Sequence, residues 1–206
     1  MPRISDPKRN PEENNPSGGP AHNRPIAGQV KKDGSLHKLL TDSALDALEL
    51  HLQKPLQLGP VDLVGIITQE GTVLSAMSSE LGVSLHFRIR EDCVPILADF
   101  EKIRRSIAAL IIHLLTFAQS QAYVTVVVES CEQKNKLGMS IRLSIDHLAV
   151  SWKPELTMED GYSDPSEVTV CRRLVEMNGG SLAVQSKGES GISYSLWLPT
   201  KGPRGR

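Results

Sequence analysis

Aromatic side chains are scarce in this sequence, at 4% of residues, so any core must be built from aliphatic groups. The three cysteines, Cys93, Cys131 and Cys171, are odd in number and lack CxxC spacing, which argues against a disulfide framework or a zinc site and suits a reducing, cytoplasmic setting. Neither sign of charge is in excess. With 23 Lys and Arg against 24 Asp and Glu, the net charge is −1, which speaks against a dedicated nucleic-acid surface. No stretch approaches the ~20 apolar residues that span a bilayer. The start, MPRISDPKRNPEENN, lacks the apolar centre of a secretory signal. Phosphate loops of the GxxxxGK type, GxSxG and HExxH are also missing, and the six histidines are dispersed.

What is present suits one globular domain with a tail. Of 206 residues, 39% are hydrophobic and 23% charged. Residues 1–34 hold six of the thirteen prolines and four glycines, with almost no apolar cluster. They cannot offset the entropy of ordering and read as a disordered tail. The tail's Arg3, Lys8, Arg9, Arg24, Lys31 and Lys32 suit either a solvated tether or a touch on an acidic partner.

Periodicity then sets out the elements. Ser35 is a helix N-cap, and Leu36, Leu39, Leu40, Ala44, Leu45, Leu48 and Leu52 follow at helical spacing up to Pro55. After Pro60, a second stripe runs through Leu63, Ile66, Ile67, Val73, Leu74, Met77 and Leu81, with Gly82 as its stop. Val83, Leu85, Phe87 and Ile89 alternate as one face of a strand, and residues 94–97 form a short extended piece. Asp99 opens a third helix with a core stripe of Ile103, Ile107, Leu110, Ile111, Leu114 and Leu115. Strands are expected at 123–128 and 139–145, joined by the polar hairpin CEQKNKLG, with a long irregular connection over 147–166. A fourth helix covers about 167–177, and Gly179-Gly180 turns the chain into two final strands. The fold class is α/β: a two-layer sandwich with two helices on a mixed, mostly antiparallel sheet of about five strands.

The closing stretch is the most specific. VCRRLVEMNGG at 170–180 followed by SLAVQSKGESGISYSLWLP at 181–199 combines a basic helix, a Gly-Gly turn, a strand, a Ser-x-Gly-x-x-Gly hairpin and a terminal Leu-Pro. Together with the Asp-led helix ILADFEKIRRSIAALIIHLLTFA and the segment PLQLGPVDLVGII, it resembles the ATP-binding catalytic domain of sensor histidine kinases, in the GHKL superfamily. The resemblance divides the chain into a tail at 1–34, a helical segment at 35–58 like the end of a dimerisation hairpin, a catalytic-type domain at 59–200 and a short tail at 201–206.

The resemblance also implies site residues, and there the match breaks. The family's Mg²⁺-binding helix asparagine aligns with His113 and an earlier asparagine with Ala109. Mg²⁺ prefers hard oxygen ligands, so imidazole is a poor substitute; the alternative is a partly buried helix histidine. The adenine motif Asp-x-Gly-x-Gly reads Asp146-His147-Leu148-Ala149-Val150, keeping the aspartate and losing both glycines. Glycine there permits positive φ and close backbone approach. The phosphate-loop glycines align with Asp164, Pro165, Ser166, Glu167 and Val168, where Pro165 removes an amide and the acids oppose a polyanion, although they also suit an ordinary helix start. Gly191 of the last hairpin is kept, followed by Ile192 where a hydroxyl residue is usual. His113, Asp146 and Gly191 therefore remain as a degenerate nucleotide site.

The expectation is a degenerate histidine-kinase-like domain, a pseudokinase of two-component signalling, that works in the cytoplasm by binding protein and needs no cofactor or metal. A response regulator, a sensor histidine kinase, or a second copy joined through helix 36–52 would be the partner, with Arg104-Arg105 and Arg172-Arg173 as minor docking charges. The alternative is an active domain that uses Mg-ATP to phosphorylate a histidine on another chain. His37 and His51 lie on the first helix without the flanking residues of a phosphoacceptor motif.

Overall fold

The computed structural model describes residues 34–133, 135–146, 166–186 and 191–201, all within the compact unit 32–206. The first helix, α1 (Gly34–Gln53), leads to a short strand, β1 (Gly59–Val61), and then to α2 (Leu63–Glu80). Strands β2 (Ser84–Ile89) and β3 (Ile96–Ala98) precede α3 (Phe100–Phe117). A long hairpin follows, β4 (Tyr123–Gln133) and β5 (Lys136–Ile145), then α4 (Ser166–Met177), β6 (Ser181–Ser186) and β7 (Ile192–Pro199). The main sheet has the order β2-β4-β5-β7-β6; only β2 and β4 pair in parallel.

The helix starts follow from their caps. The Asp62 carboxylate accepts from Val64 N at 3.0 Å, and that of Asp99 accepts from Lys102 N at 3.1 Å, each meeting one of the amides that a helix N-terminus leaves without an internal partner. In the sheet, alternate residues face the helices. Val126, Leu143 and Tyr194 lie side by side across β4, β5 and β7, and all three are buried. Against them α3 sets Ile103, Ile107, Leu110 and Leu114.

Three features depart from the sequence expectation. First, α2 also packs on the sheet, against β2, so three helices rather than two cover it. Gly71 makes this possible: the Phe87 ring occupies the space a side chain there would need. Second, Val73 belongs to the solvent side of α2, at 65% exposed, while Glu70 takes a buried position. The carboxylate is tolerated because Arg104 Nη1 donates to it at 2.8 Å. Third, the two strands run further into the expected CEQKNKLG hairpin than 128 and 139. Gln133 pairs with Lys136, and Asn135 takes φ 58°, as a two-residue hairpin turn requires.

A small second sheet pairs β1 with β3, Pro60 opposite Leu97. It joins the end of the main sheet through Leu97 N to Thr200 O and Thr200 N to Leu137 O. Finally, α1 is not a separate appendage. It packs against both α3 and α4, with Leu48 buried and Ala44, Leu45 and Leu52 beside it.

Candidate functional site

Two of the three expected site residues, Asp146 and Gly191, meet where β5 ends and β7 begins. Antiparallel register sets Ile145 opposite Ile192, which brings Asp146 and Gly191 together just beyond the pair. Gly191 has φ +140°, and a Cβ there would run into the Ile145 carbonyl oxygen and the Asp146 backbone. Glycine is therefore required at 191 by the chain crossing itself, independently of any ligand. The Asp146 residue is exposed at the end of its strand.

His113 stands on α3. Its residue is 3% exposed, and its ring lies 4.8 Å from Phe117 and 5.9 Å, edge-on, from Tyr194 of β7. Tyr194 of β7 stands three positions after Gly191, and the imidazole packs on the sheet at Tyr194. Such a ring cluster is favourable packing in itself.

Along α3, His113 ends a buried stripe that also contains Ala109, Ser106 and Lys102. Spacings of three and four residues put these positions on one helix face. Ser106 O accepts from the Cys171 Sγ of α4 at 3.7 Å, which ties the two helices together. Burial pushes the Cys171 thiol up to about 12, so it is a packing residue rather than a nucleophile. At the other end, the Lys102 ammonium donates to the main-chain carbonyl oxygens of His51 and Lys54, where α1 finishes.

Other expected residues fall as follows. Glu167 stands in the first turn of α4, where its charge suits the helix N-terminus. Leu148, Val150, Asp164 and Pro165 lie outside the described residues, as does the side chain of His37. His51 is buried at the end of α1; desolvation, then Lys54 and Arg105, hold its pKa below the ordinary value, with Glu101 opposing. Arg104 is spoken for by Glu70 and by Glu101 at 2.9 Å, and Arg172 donates to Leu182 O. Arg173 is exposed. Among the described residues, no three His, Cys, Asp or Glu side chains are grouped as a metal site.

Sequence reasoning missed Lys102, Tyr194 and Asn178. Asn178 is fully buried; it accepts from Asp99 N at 2.6 Å and donates to Leu174 O at 2.8 Å, joining the start of α3 to the end of α4. No local signal marks such a bridge, because its partners are 79 residues apart.

Known structures share this architecture. The nucleotide-free catalytic domain of histidine kinase ThkA matches with a TM-score of 0.58 at 11% identity, over 70% of this chain and 97% of that one. Acinetobacter baumannii histidine kinase AdeS matches at 0.58 and 13% identity, over 80% and 78%. ThkA in complex with the response regulator protein TrrA gives 0.60 and 10% identity, over 81% of this chain and 48% of that one. The chain therefore has the fold of a sensor histidine kinase catalytic domain. No protein-family model and no curated protein matches the sequence.

Proposed function

We propose that this chain is a histidine-kinase-like domain of two-component signalling that has lost nucleotide chemistry and acts in the cytoplasm by binding protein, with a response regulator or a sensor histidine kinase as partner. The observation that carries this reading is His113. At the position aligned with the metal-binding asparagine stands a nitrogen ligand, buried among Phe117 and Tyr194. Mg²⁺ asks for oxygen donors and keeps several waters, so these residues do not fit it. Replacement of the motif glycines by Leu148, Val150, Pro165 and Glu167 points the same way.

Each charged hydrogen bond lost from a nucleotide site costs roughly 1.5–3 kcal/mol. Two or three such losses, at about 1.4 kcal/mol per tenfold, turn a micromolar site into a millimolar one. Calorimetric titration of the intact protein with Mg-ATP should therefore give no saturable heat in the micromolar range. The second reading, an active domain that phosphorylates a histidine of another chain, is favoured by one feature: exposed Asp146 stands beside Gly191 at the mouth of the strands. Micromolar binding that vanishes in Asp146→Asn would establish that reading and sink the first.

A further inference from the structure

The N-terminal turn of α3 holds the chain where it leaves α1. Lys102, 1% exposed, directs its ammonium at the carbonyl oxygens of His51 and Lys54, the latter at 2.9 Å. Carbonyls at a helix C-terminus lack intrahelical partners and carry the negative end of the helix dipole, so a cation placed there is doubly satisfied. Asp99, besides capping α3, accepts from Gln57 N at 2.9 Å. Three main-chain groups of residues 51–57 are thus gripped by two side chains of one helical turn. Upstream of the grip, the face formed by Ala44, Leu45, Leu48 and Leu52 fills the groove between α3 and α4. The opposite face, Ser43, Asp46, Glu49 and Leu50, is exposed.

This arrangement differs from ordinary core packing. A lysine is rarely buried unless its charge is met, and here it is met by main-chain dipoles of a helix contributed from outside the sandwich. α2, α3 and α4 pack on the sheet, and α1 packs on α3 and α4. The groove is, in effect, a receptor for an amphipathic helix with a leucine face and uncapped C-terminal carbonyls, and α1 is the occupant supplied in cis.

We propose that α1 is a releasable strap latched by Lys102, and that its release opens the α3–α4 groove to a partner helix of the same chemistry. That the groove serves a protein partner rests on the protein-binding reading above; the latch itself stands on the contacts alone. Micromolar Mg-ATP binding would overturn the former and leave the latter in place.

The full chain tests this with two variants and one probe. In Lys102→Met, hydrogen exchange of the amides at 45–54 should rise at least tenfold while those of β4, β5 and β7 hold their wild-type rates. In Leu48→Asp, which unseats the strap and keeps Lys102, a fluorescein-labelled synthetic peptide spanning residues 43–57 should bind at least tenfold more tightly than it binds wild type. Adding Lys102→Met to Leu48→Asp should weaken that binding again. Unchanged exchange in Lys102→Met, or exchange that rises equally throughout the sheet, refutes the latch. Equal peptide affinity for wild type and a folded Leu48→Asp refutes competition for the groove. Should Leu48→Asp not fold, the exchange pattern of Lys102→Met decides the matter alone.

Discussion

Along α3, one face carries Ile103, Ile107, Leu110 and Leu114, whereas a second carries Lys102, Ser106, Ala109 and His113 and meets α1 through Lys102, α4 through Ser106 and Tyr194 of the sheet through His113. Both faces are buried. The first is aliphatic throughout and packs in the apolar core, so an apolar side chain of similar volume would serve. The second is mostly polar, and each polar group answers to one partner. Lys102 meets the end of α1, the Ser106 hydroxyl donates to Lys102 O at 2.8 Å, and His113 sits by the Phe117 and Tyr194 rings. One face makes the domain stable; the other decides which elements lie beside it.

The largest effects should come from the first face and its counterpart on α4. Leu110→Ala, Leu114→Ala and Leu174→Ala should each lower unfolding free energy by ~2–5 kcal/mol, because every one of these side chains is fully buried and leaves a cavity. Urea denaturation reads this directly; a variant with the wild-type midpoint would show the helix face to be misassigned. Asp99→Ala should come next. Its carboxylate serves both the cap of α3 and Gln57 N, and loss of a cap costs ~1–2 kcal/mol. A loss no larger than that of an exposed site such as Glu80→Ala would mean that the cap and the Gln57 contact contribute nothing measurable.

A smaller, pH-dependent effect belongs to His51. Its pKa in the folded chain is held below 6.5, chiefly by burial and then by Lys54, Arg105 and Lys102, against Glu101. The unfolded chain therefore takes up the proton first. The stability that neutral His51 contributes is whole above the ordinary histidine value and is lost as pH falls through the lowered folded value. Melting temperature followed from pH 7.5 to 5 should fall, and His51→Gln should flatten that dependence; an unchanged slope in the variant would remove His51 as the cause.

The smallest effects should separate two ion pairs. Arg104–Glu70, at 2.8 Å and partly buried, should give a double-mutant coupling of up to ~1 kcal/mol, while the exposed Arg142–Glu129 contact at 3.6 Å should give about zero. Equal couplings would erase the distinction between an addressed position and a solvated one.

Much of the first face was legible beforehand. The stripe of α3, its start at Asp99, the strand alternation at 83–87 and the closing helix-turn-hairpin all follow from local periodicity and caps, and the structure reproduces them, whereas Ile89, expected on the same strand face, is exposed. Val73 was misplaced because apolar periodicity alone cannot foresee that Glu70, rescued by an arginine 34 residues away, will take the inward position. The docking of α2 on β2 was missed for a similar reason, since Gly71 reads as a helix weakness until Phe87 is seen beside it. At the site, Asp146 and Gly191 are juxtaposed by strand register, which alternation does not specify on its own.

By itself the sequence determined the order and type of the elements and an aliphatic core, because hydrophobic period and capping residues are local properties. Tertiary structure alone decided that α1 lies against α3 and α4, that Lys102 is buried at its end, and that His113 faces Tyr194. Those outcomes depend on contacts between residues far apart in the chain, such as Lys102 with His51 and Lys54 or His113 with Tyr194, whose energy is realised only once the sheet has brought the helices together.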